Sequence, residues 1–174
     1  MDLRSAILAE HSKANTLLIT KWIGDRQDRF DELMHLFLHE EYRIVQRAAW
    51  IMSHSAEAHP YLIKPHLDNL LSAMENPKHD AVLRNGLKVL AETALDEELL
   101  GKAATLAFDF LADPKSPVAI KVHSMQLLAN ICQVEPDLAG ELRILIEDQW
   151  EEGTAGFKSR GKKILKQLDK IQAQ

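Results

Sequence analysis

A small residue returns at almost constant spacing in four segments of this sequence, and no other feature restricts the fold as strongly. The four positions are separated by 38, 38 and 37 residues. Apolar side chains lie four residues before each position and three and four residues after it. Offsets of −4, 0, +3 and +4 share one face of an α-helix. The small residues are Ala48, Gly86, Ser124 and Gly161, and the apolar neighbours are Ile44, Ile51, Met52, Val82, Val89, Leu90, Ile120, Leu127, Leu128, Phe157, Ile164 and Leu165.

The small side chain predicts a close contact between two helices at that position. A bulky residue would hold the helix axes farther apart than the usual separation of about 8–10 Å. The helices between the four segments repeat more loosely, since His59–Pro60 and Glu135–Pro136 begin two of them and lie two periods apart. A pair of helices that returns every 38 residues indicates a solenoid, because each pair buries its apolar faces only against its neighbours.

Helix-breaking residues divide the whole chain into segments of helical length. Gly24, Pro60, Pro77, Pro114 and Pro136 are among them, and each predicts a helix boundary. No segment shows the period-two alternation of a strand. We therefore predict an all-α fold of about ten helices, near residues 2–11, 13–23, 27–39, 41–56, 60–75, 79–94, 97–112, 117–133, 137–151 and 155–172.

The four segments resemble the second helix of HEAT repeats, whose pattern is roughly VRxxAAxAL. They read IVQRAAWIM, VLRNGLKVL, IKVHSMQLL and FKSRGKKIL, and the first matches best. Lys121 and Lys158 lie where the family prefers arginine, an early aspartate is missing from the third and fourth copies, and Lys162 occupies an apolar position. The resemblance covers about residues 27–172 and implies a right-handed α–α superhelix, a HEAT-like solenoid. Armadillo-type and TPR-type solenoids are the alternatives, although a TPR period near 34 residues does not fit.

The repeat places all of residues 1–174 in one predicted domain. Residues 27–153 carry the repeat units, and residues 1–24 are expected to form N-terminal capping helices, so that the ten helices make roughly four helical pairs and the N-terminal cap. Residues 154–174 are expected to form a basic C-terminal capping helix, since they contain six Lys or Arg and one acid. Its basic side suits a charged outer face, pairing with acidic residues of the preceding helix, or binding of phosphate groups.

Charge and composition indicate which kinds of partner and which cellular compartment are expected for this chain. The formal net charge of −5 argues against nucleic acid as a partner. The single Cys132 has no CxxC partner and lies among apolar residues, so we expect a buried, unreactive thiol. The sequence shows neither the pattern of a signal peptide nor an apolar run long enough for a membrane span, so we expect a cytoplasmic protein without a membrane partner.

The helical period also predicts which side chains of the four helices face solvent. At about 100° per residue, offsets of −1, +2 and +6 from the small residue fall together, away from the buried stripe. Because the second helices of HEAT proteins line the concave surface, the resemblance implies a polar, mildly basic row there. We call the following residues the polar row: Arg47, Trp50, His54, Asn85, Lys88, Glu92, His123, Gln126, Asn130, Arg160, Lys163 and Gln167.

The polar row has a functional and a structural interpretation. An extended acidic segment of a partner protein fits it, with Trp50 as an aromatic anchor of the kind found at interaction hot spots. Alternatively, the row is only the solvated side that every surface helix needs, and Trp50 packs against the preceding repeat.

Metal and catalytic sites have little support in the sequence. His35 and His39 lie at i and i+4 with Glu32 one turn earlier, a spacing that two imidazole ligands of a metal can use. The segment lacks the HExxH order and a third ligand, and motifs for nucleotide binding and acyl transfer are missing. We therefore expect no metal, no cofactor and no catalytic residue.

These observations predict a non-catalytic protein-interaction module that binds a partner segment on the concave polar row. The alternative is a HEAT-like enzyme or nucleic-acid binder that uses the same row, since HEAT-like alkylpurine DNA glycosylases and bilin lyases show that this architecture can host chemistry. Trp50 and Glu92 are the only candidates for the aromatic and acidic residues of the glycosylase pattern. A third hypothesis is a homodimer formed through an uncapped end of the solenoid.

Overall fold

The computed structural model describes residues 1–173, and within them it contains ten α-helices and no β-strand. None of these helices combines the length and the apolar character needed to cross a membrane. The all-α class predicted from the repeat is therefore confirmed. The helices are α1 Leu3–Ala9, α2 Lys13–Ile23, α3 Gln27–His39, α4 Tyr42–Ala58, α5 Leu67–Glu75, α6 Asp80–Ala91, α7 Glu97–Ala112, α8 Val118–Cys132, α9 Ala139–Asp148 and α10 Ala155–Gln172.

Side-chain caps explain where several of the helices begin. Four residues accept a hydrogen bond from the backbone N–H three residues ahead: Asp2, Ser12, Asp96 and Thr154. Such caps satisfy amide groups that have no acceptor inside the helix. Helix α2 ends at Gly24, whose φ of 54° lies in the left-handed region that glycine adopts without strain.

Two of the predicted helices begin with a 3₁₀ segment rather than with an α-helical turn. Residues Pro60–His66 and Pro136–Leu138 form these segments, directly before α5 and α9. Pro65 lies inside the longer segment. Because proline has no N–H to donate, an α-helical hydrogen-bond ladder cannot run through it. The α-helix predicted near residues 60–75 is therefore correct only from Leu67 onward.

The small residues that define the repeat are buried, as the sequence predicts. Ala48 and Ser124 have no exposed surface, and Gly86 and Gly161 are buried as well. The apolar side chains four positions earlier are at most 3% exposed. Among the side chains at +3 and +4, Leu165 alone is partly exposed. The predicted stripe is thus the buried face of each second helix.

The two glycines of the repeat lie directly against the first helix of their own pair. A β-carbon on Gly86 would lie 2.6 Å from the sulfur of Met74 in α5. A β-carbon on Gly161 would lie 3.0 Å from the ring of Trp150, just beyond α9, and 3.1 Å from Ile146 in α9. Met74 and Trp150 are two repeat periods apart, so the same contact recurs in two pairs. The close approach predicted for the small residue is confirmed.

The helices group into two compact units, residues 1–93 and the residues from 94 onward. The first unit contains the pairs α1–α2, α3–α4 and α5–α6, and α4 packs against α2, α3 and α6. The second unit contains the pairs α7–α8 and α9–α10, and α8 packs against α7, α9 and α10. Residues 1–24, predicted to form capping helices, are therefore a helical pair whose second helix lies beside α4.

Gly161→Leu is expected to destabilise the second unit by about 1–3 kcal/mol, because the new side chain overlaps Trp150 and Ile146. The matched control is Gly101→Leu in α7, where a β-carbon meets nothing within 4 Å. This control should gain up to about 1 kcal/mol, since it replaces an exposed glycine inside a helix. Urea denaturation followed by circular dichroism measures both values. Equal free energies of unfolding for the two variants would contradict the packing role of Gly161.

Candidate interaction surface

Trp50 in α4 is partly buried between two histidines. The centroid of its ring lies 6.1 Å from that of His11, in an edge-to-face arrangement, and 5.9 Å from that of His54. His11 belongs to the turn between α1 and α2. The indole therefore contacts the preceding helical pair at one edge and keeps part of its surface in solvent.

Arg47, the first residue of the polar row, forms its hydrogen bonds inside the protein. Its Nη1 donates to the carbonyl oxygens of Ile7 at 3.0 Å and Leu8 at 2.9 Å. These carbonyls belong to the last turn of α1, where a cation also meets the negative end of the helix dipole. The guanidinium attaches α1 to α4, so Nη1 is not free for the partner contact predicted from the sequence.

Charged side chains from α2, α4 and α6 act on His54, which itself contacts Trp50. The Nζ atom of Lys88 is 3.1 Å from Oε2 of Glu57, and Nδ1 of His54 is 4.0 Å from the same oxygen. Burial lowers the pKa of His54 below its ordinary value of 6.5, and the positive charges of Lys88 and Lys13 lower it further against the effect of Glu57. The neutral form of His54 therefore predominates at pH 7, and its contact with Glu57 is not mainly ionic there.

The other two polar-row residues of the first unit differ in exposure. Asn85 is only 8% exposed, and its Nδ2 donates to the carbonyl of Ala81 at 2.9 Å. The prediction that Asn85 faces solvent is wrong. It occupies the same offset as Arg47, at the edge of the row and only about 40° from the buried residue at offset +3. Glu92, just beyond α6, is exposed as expected.

In the second unit, three residues of the polar row form one hydrogen-bonded chain. Nη1 of Arg160 in α10 donates to Oε1 of Gln126 in α8 at 2.8 Å, and Nε2 of Gln126 donates to Oδ1 of Asn130 at 3.0 Å. His123 is half-buried on α8, and Lys163 is exposed on α10. The helical period thus brings together side chains that are 34 residues apart in sequence.

The basic side of α10 faces solvent. An ion pair does join α9 to α10, but it runs from Arg143 to Asp169 at 2.6 Å, with the cation on α9. Pairing of α10 lysines with acids of α9 is not observed within residues 1–173, which leaves the charged outer face and the binding of phosphate groups as interpretations. Four lysines are exposed there without an ion pair in the described chain: Lys162, Lys163, Lys166 and Lys170.

His35 and His39 lie on the exposed side of α3 with their ring centroids 4.7 Å apart. In the part of the chain that the structure describes, no group of three or more His, Cys, Asp or Glu side chains is arranged to hold a metal ion.

Cys132 is buried at the end of α8, as the sequence predicts, and has no exposed surface. Burial raises the pKa of its thiol to about 11. The thiol is therefore protonated at neutral pH, and the reactive thiolate is scarce.

Sequence reasoning missed three residues of this surface: His11, which contacts Trp50, and Lys13 and Glu57, which act on His54. His11 and Lys13 belong to the segment predicted as a cap, but they lie 39 and 37 residues before Trp50, close to one repeat period. That separation was the signal that the N-terminal segment is itself a helical pair. Glu57 follows His54 by three residues, so extending the polar row by one turn would have included it.

A comparison with known families agrees with this arrangement of helices. The sequence model of the HEAT repeat domain matches residues 3–168. The match includes α1 and α2, which lie outside the segments that carry the resemblance in the sequence. No curated protein and no solved structure matches the chain.

Arg47→Met is expected to free the last turn of α1, because two carbonyls lose their donor, at a cost of about 1–3 kcal/mol. Hydrogen exchange of the α1 amides should accelerate, and trypsin should cleave faster after Lys13. Arg43→Met on the same helix is the control, since Arg43 is exposed and has no partner within residues 1–173. Wild-type protection of α1 in the Arg47 variant would show that the bonds do not hold this helix.

His54 is expected to titrate below pH 6.5 in the folded protein, as followed by NMR of its ring protons. Lys88→Met should raise this pKa because a nearby positive charge is lost, whereas Arg84→Met, on the same helix, should leave it unchanged. The folded state binds this proton less readily than the unfolded chain does. The contribution of His54 to stability is therefore present above pH 6.5 and lost as the pH falls through the lowered pKa. An unchanged pKa in Lys88→Met would remove Lys88 as a cause.

Proposed function

The chain belongs to the HEAT-repeat family, and on this premise we propose that it is a non-catalytic protein-interaction module that binds an acidic, extended segment of a partner protein. Repeat proteins of this kind present extended surfaces and use them for binding. The proposed binding surface is the Trp50 cluster of the first unit, defined as Trp50, His54, Lys88, Glu57, Lys13 and His11.

The position of Trp50 carries this proposal. The indole is held between His11 and His54, so it loses little conformational freedom when a partner covers its exposed part. A large aromatic side chain that is already fixed by its neighbours contributes contact area at low entropic cost. Tryptophan is also among the residues that most often dominate binding energy at protein interfaces.

The charge of the Trp50 cluster favours an acidic partner. Lys13 and Lys88 both act on His54, while Glu57 is already paired with Lys88. With His54 neutral, two lysines face one carboxylate, and the local charge is positive in a protein whose net charge is −5. Complementary charge of this kind sets the encounter rate and the choice of partner more than the affinity itself.

The pKa of His54 offers an independent test of the same interaction. A carboxylate of the partner that approaches Lys13 or Lys88 also approaches His54 and favours its charged form. Binding of an acidic segment should therefore raise the pKa of His54. The affinity for the acidic segment should increase as the pH falls from 7 toward the pKa that His54 has in the unbound protein.

Selection of binders from a library of random linear peptides on the purified chain tests the proposal. The selected peptides should be rich in Asp and Glu and contain an apolar residue. Trp50→Ala should weaken their binding about 30-fold or more, the loss typical of a hot-spot residue. Fluorescence polarisation measures the dissociation constants at two salt concentrations, and Lys88→Met should matter more at the lower one.

Tyr42→Ala is the matched control, because Tyr42 is an aromatic residue on the same helix and is 56% exposed. It should leave peptide binding unchanged. Peptides without acidic residues, or binding that is insensitive to Trp50→Ala, would contradict the proposal. Retention on DNA that is lost in Arg160→Glu with Lys163→Glu would favour the nucleic-acid alternative instead.

A further inference from the structure

The second unit contains a cavity of about 460 Å³ where the connection between α7 and α8 meets the connection between α9 and α10. Its volume lies in the range of about 300–1,000 Å³ that is usual for small-molecule sites. Its apolar wall includes Val118, Leu145 and Phe157. The cavity shares no residue with the Trp50 cluster, so a ligand site in the cavity is independent of the proposed function.

Lys121 lines this cavity and is held in place by a neutral partner. Its Nζ donates to Oε1 of Gln149. Nε2 of Gln149 donates in turn to the carbonyl oxygens of Leu111 and Leu145, both at 3.0 Å, which fixes the orientation of the amide. An ammonium group has three N–H donors, and the side chain of Lys121 uses one of them on an uncharged acceptor. The positive charge is therefore positioned but not neutralised.

Two carboxylates line the same cavity, those of Asp148 and Glu152. Neither forms an ion pair with Lys121 or with any other side chain in the described chain. Opposite charges that share a cavity without pairing leave room for a ligand that carries both signs. The N-terminal end of α8, at Val118, adds positive potential on the side of Lys121.

We propose that this cavity binds a small apolar zwitterion, of the size of an amino acid or a dipeptide. The carboxylate of the ligand pairs with Lys121 and its ammonium group faces Asp148 and Glu152. Its side chain lies on the wall that Val118 and Phe157 help to form. A simple anion would meet two carboxylates and a simple cation would meet Lys121, whereas a zwitterion brings the opposite charge to both sides of the cavity.

Isothermal titration of the full chain with L-leucine and with L-leucyl-L-leucine tests the proposal and separates the two sizes. At least one of them should bind in the millimolar range or tighter. Two analogues of leucine serve as partial ligands: 4-methylvalerate, which lacks the amine, and isoamylamine, which lacks the carboxylate. Each should bind at least about tenfold more weakly than the better zwitterion, the loss expected when one charge-assisted hydrogen bond is missing.

Lys121→Met should weaken binding of the zwitterion by a similar factor. Lys158→Met is the matched control. Lys158 lies three residues before Gly161, as Lys121 lies three residues before Ser124. Its side chain donates to the carbonyl of Glu151 and does not line the cavity. Asp148→Asn with Glu152→Gln should abolish the preference for the zwitterion over 4-methylvalerate. Circular dichroism and an unreactive Cys132 would establish that the variants are folded.

Three results would overturn the proposal. The first is the absence of binding of both zwitterions to the wild-type chain. The second is equal affinity for 4-methylvalerate, which would make the cavity a site for simple anions. The third is an equal loss in Lys121→Met and Lys158→Met, because a general effect of charge would then explain it.

Discussion

Close contact between helices at one small residue per repeat is the constraint on which the rest of the structure depends. Gly161 lies against Trp150 and Ile146 with no room for a methyl group to be added freely, and Gly86 repeats this contact against α5. Because the contact fixes the rotation of each second helix, it also decides which of its side chains are buried and which reach solvent. The polar row is thus a consequence of core packing.

Much of the fold could be predicted because its signal is local and periodic, as the burial of Ala48 and Ser124 confirms. Asn85 shows the limit of a prediction from helical periodicity. The period gives the direction of a side chain from its own helix axis, but not how far the surrounding structure buries it. Pro65 changes the hydrogen bonding of its segment while leaving the apolar pattern intact. The Trp50 cluster was found only in part, because His11 comes from a pair that departs from the main repeat. The cavity around Lys121 is built by connections, which carry no periodic signal.

The cations of this protein divide into those that hold the structure together and those whose charge remains available. Arg47 donates to the end of α1, and Arg143 joins α9 to α10 through Asp169. Lys121, by contrast, meets an amide rather than a carboxylate. In a protein of net charge −5, such positions determine where an anionic group is attracted, because the interaction of exposed charges is screened within about 8–10 Å at moderate salt.

Because Arg47 attaches α1 to α4, the surroundings of Trp50 depend on the equilibrium between the docked and the frayed state of α1. A helix of seven residues is too short to persist in water by itself. Its order therefore comes from its contacts with the rest of the first unit. Fraying of this helix also loosens His11, which lies two residues beyond it and contacts the indole. Conditions that loosen the N terminus thus remove one of the two rings that flank the indole, so the Trp50 cluster becomes less ordered.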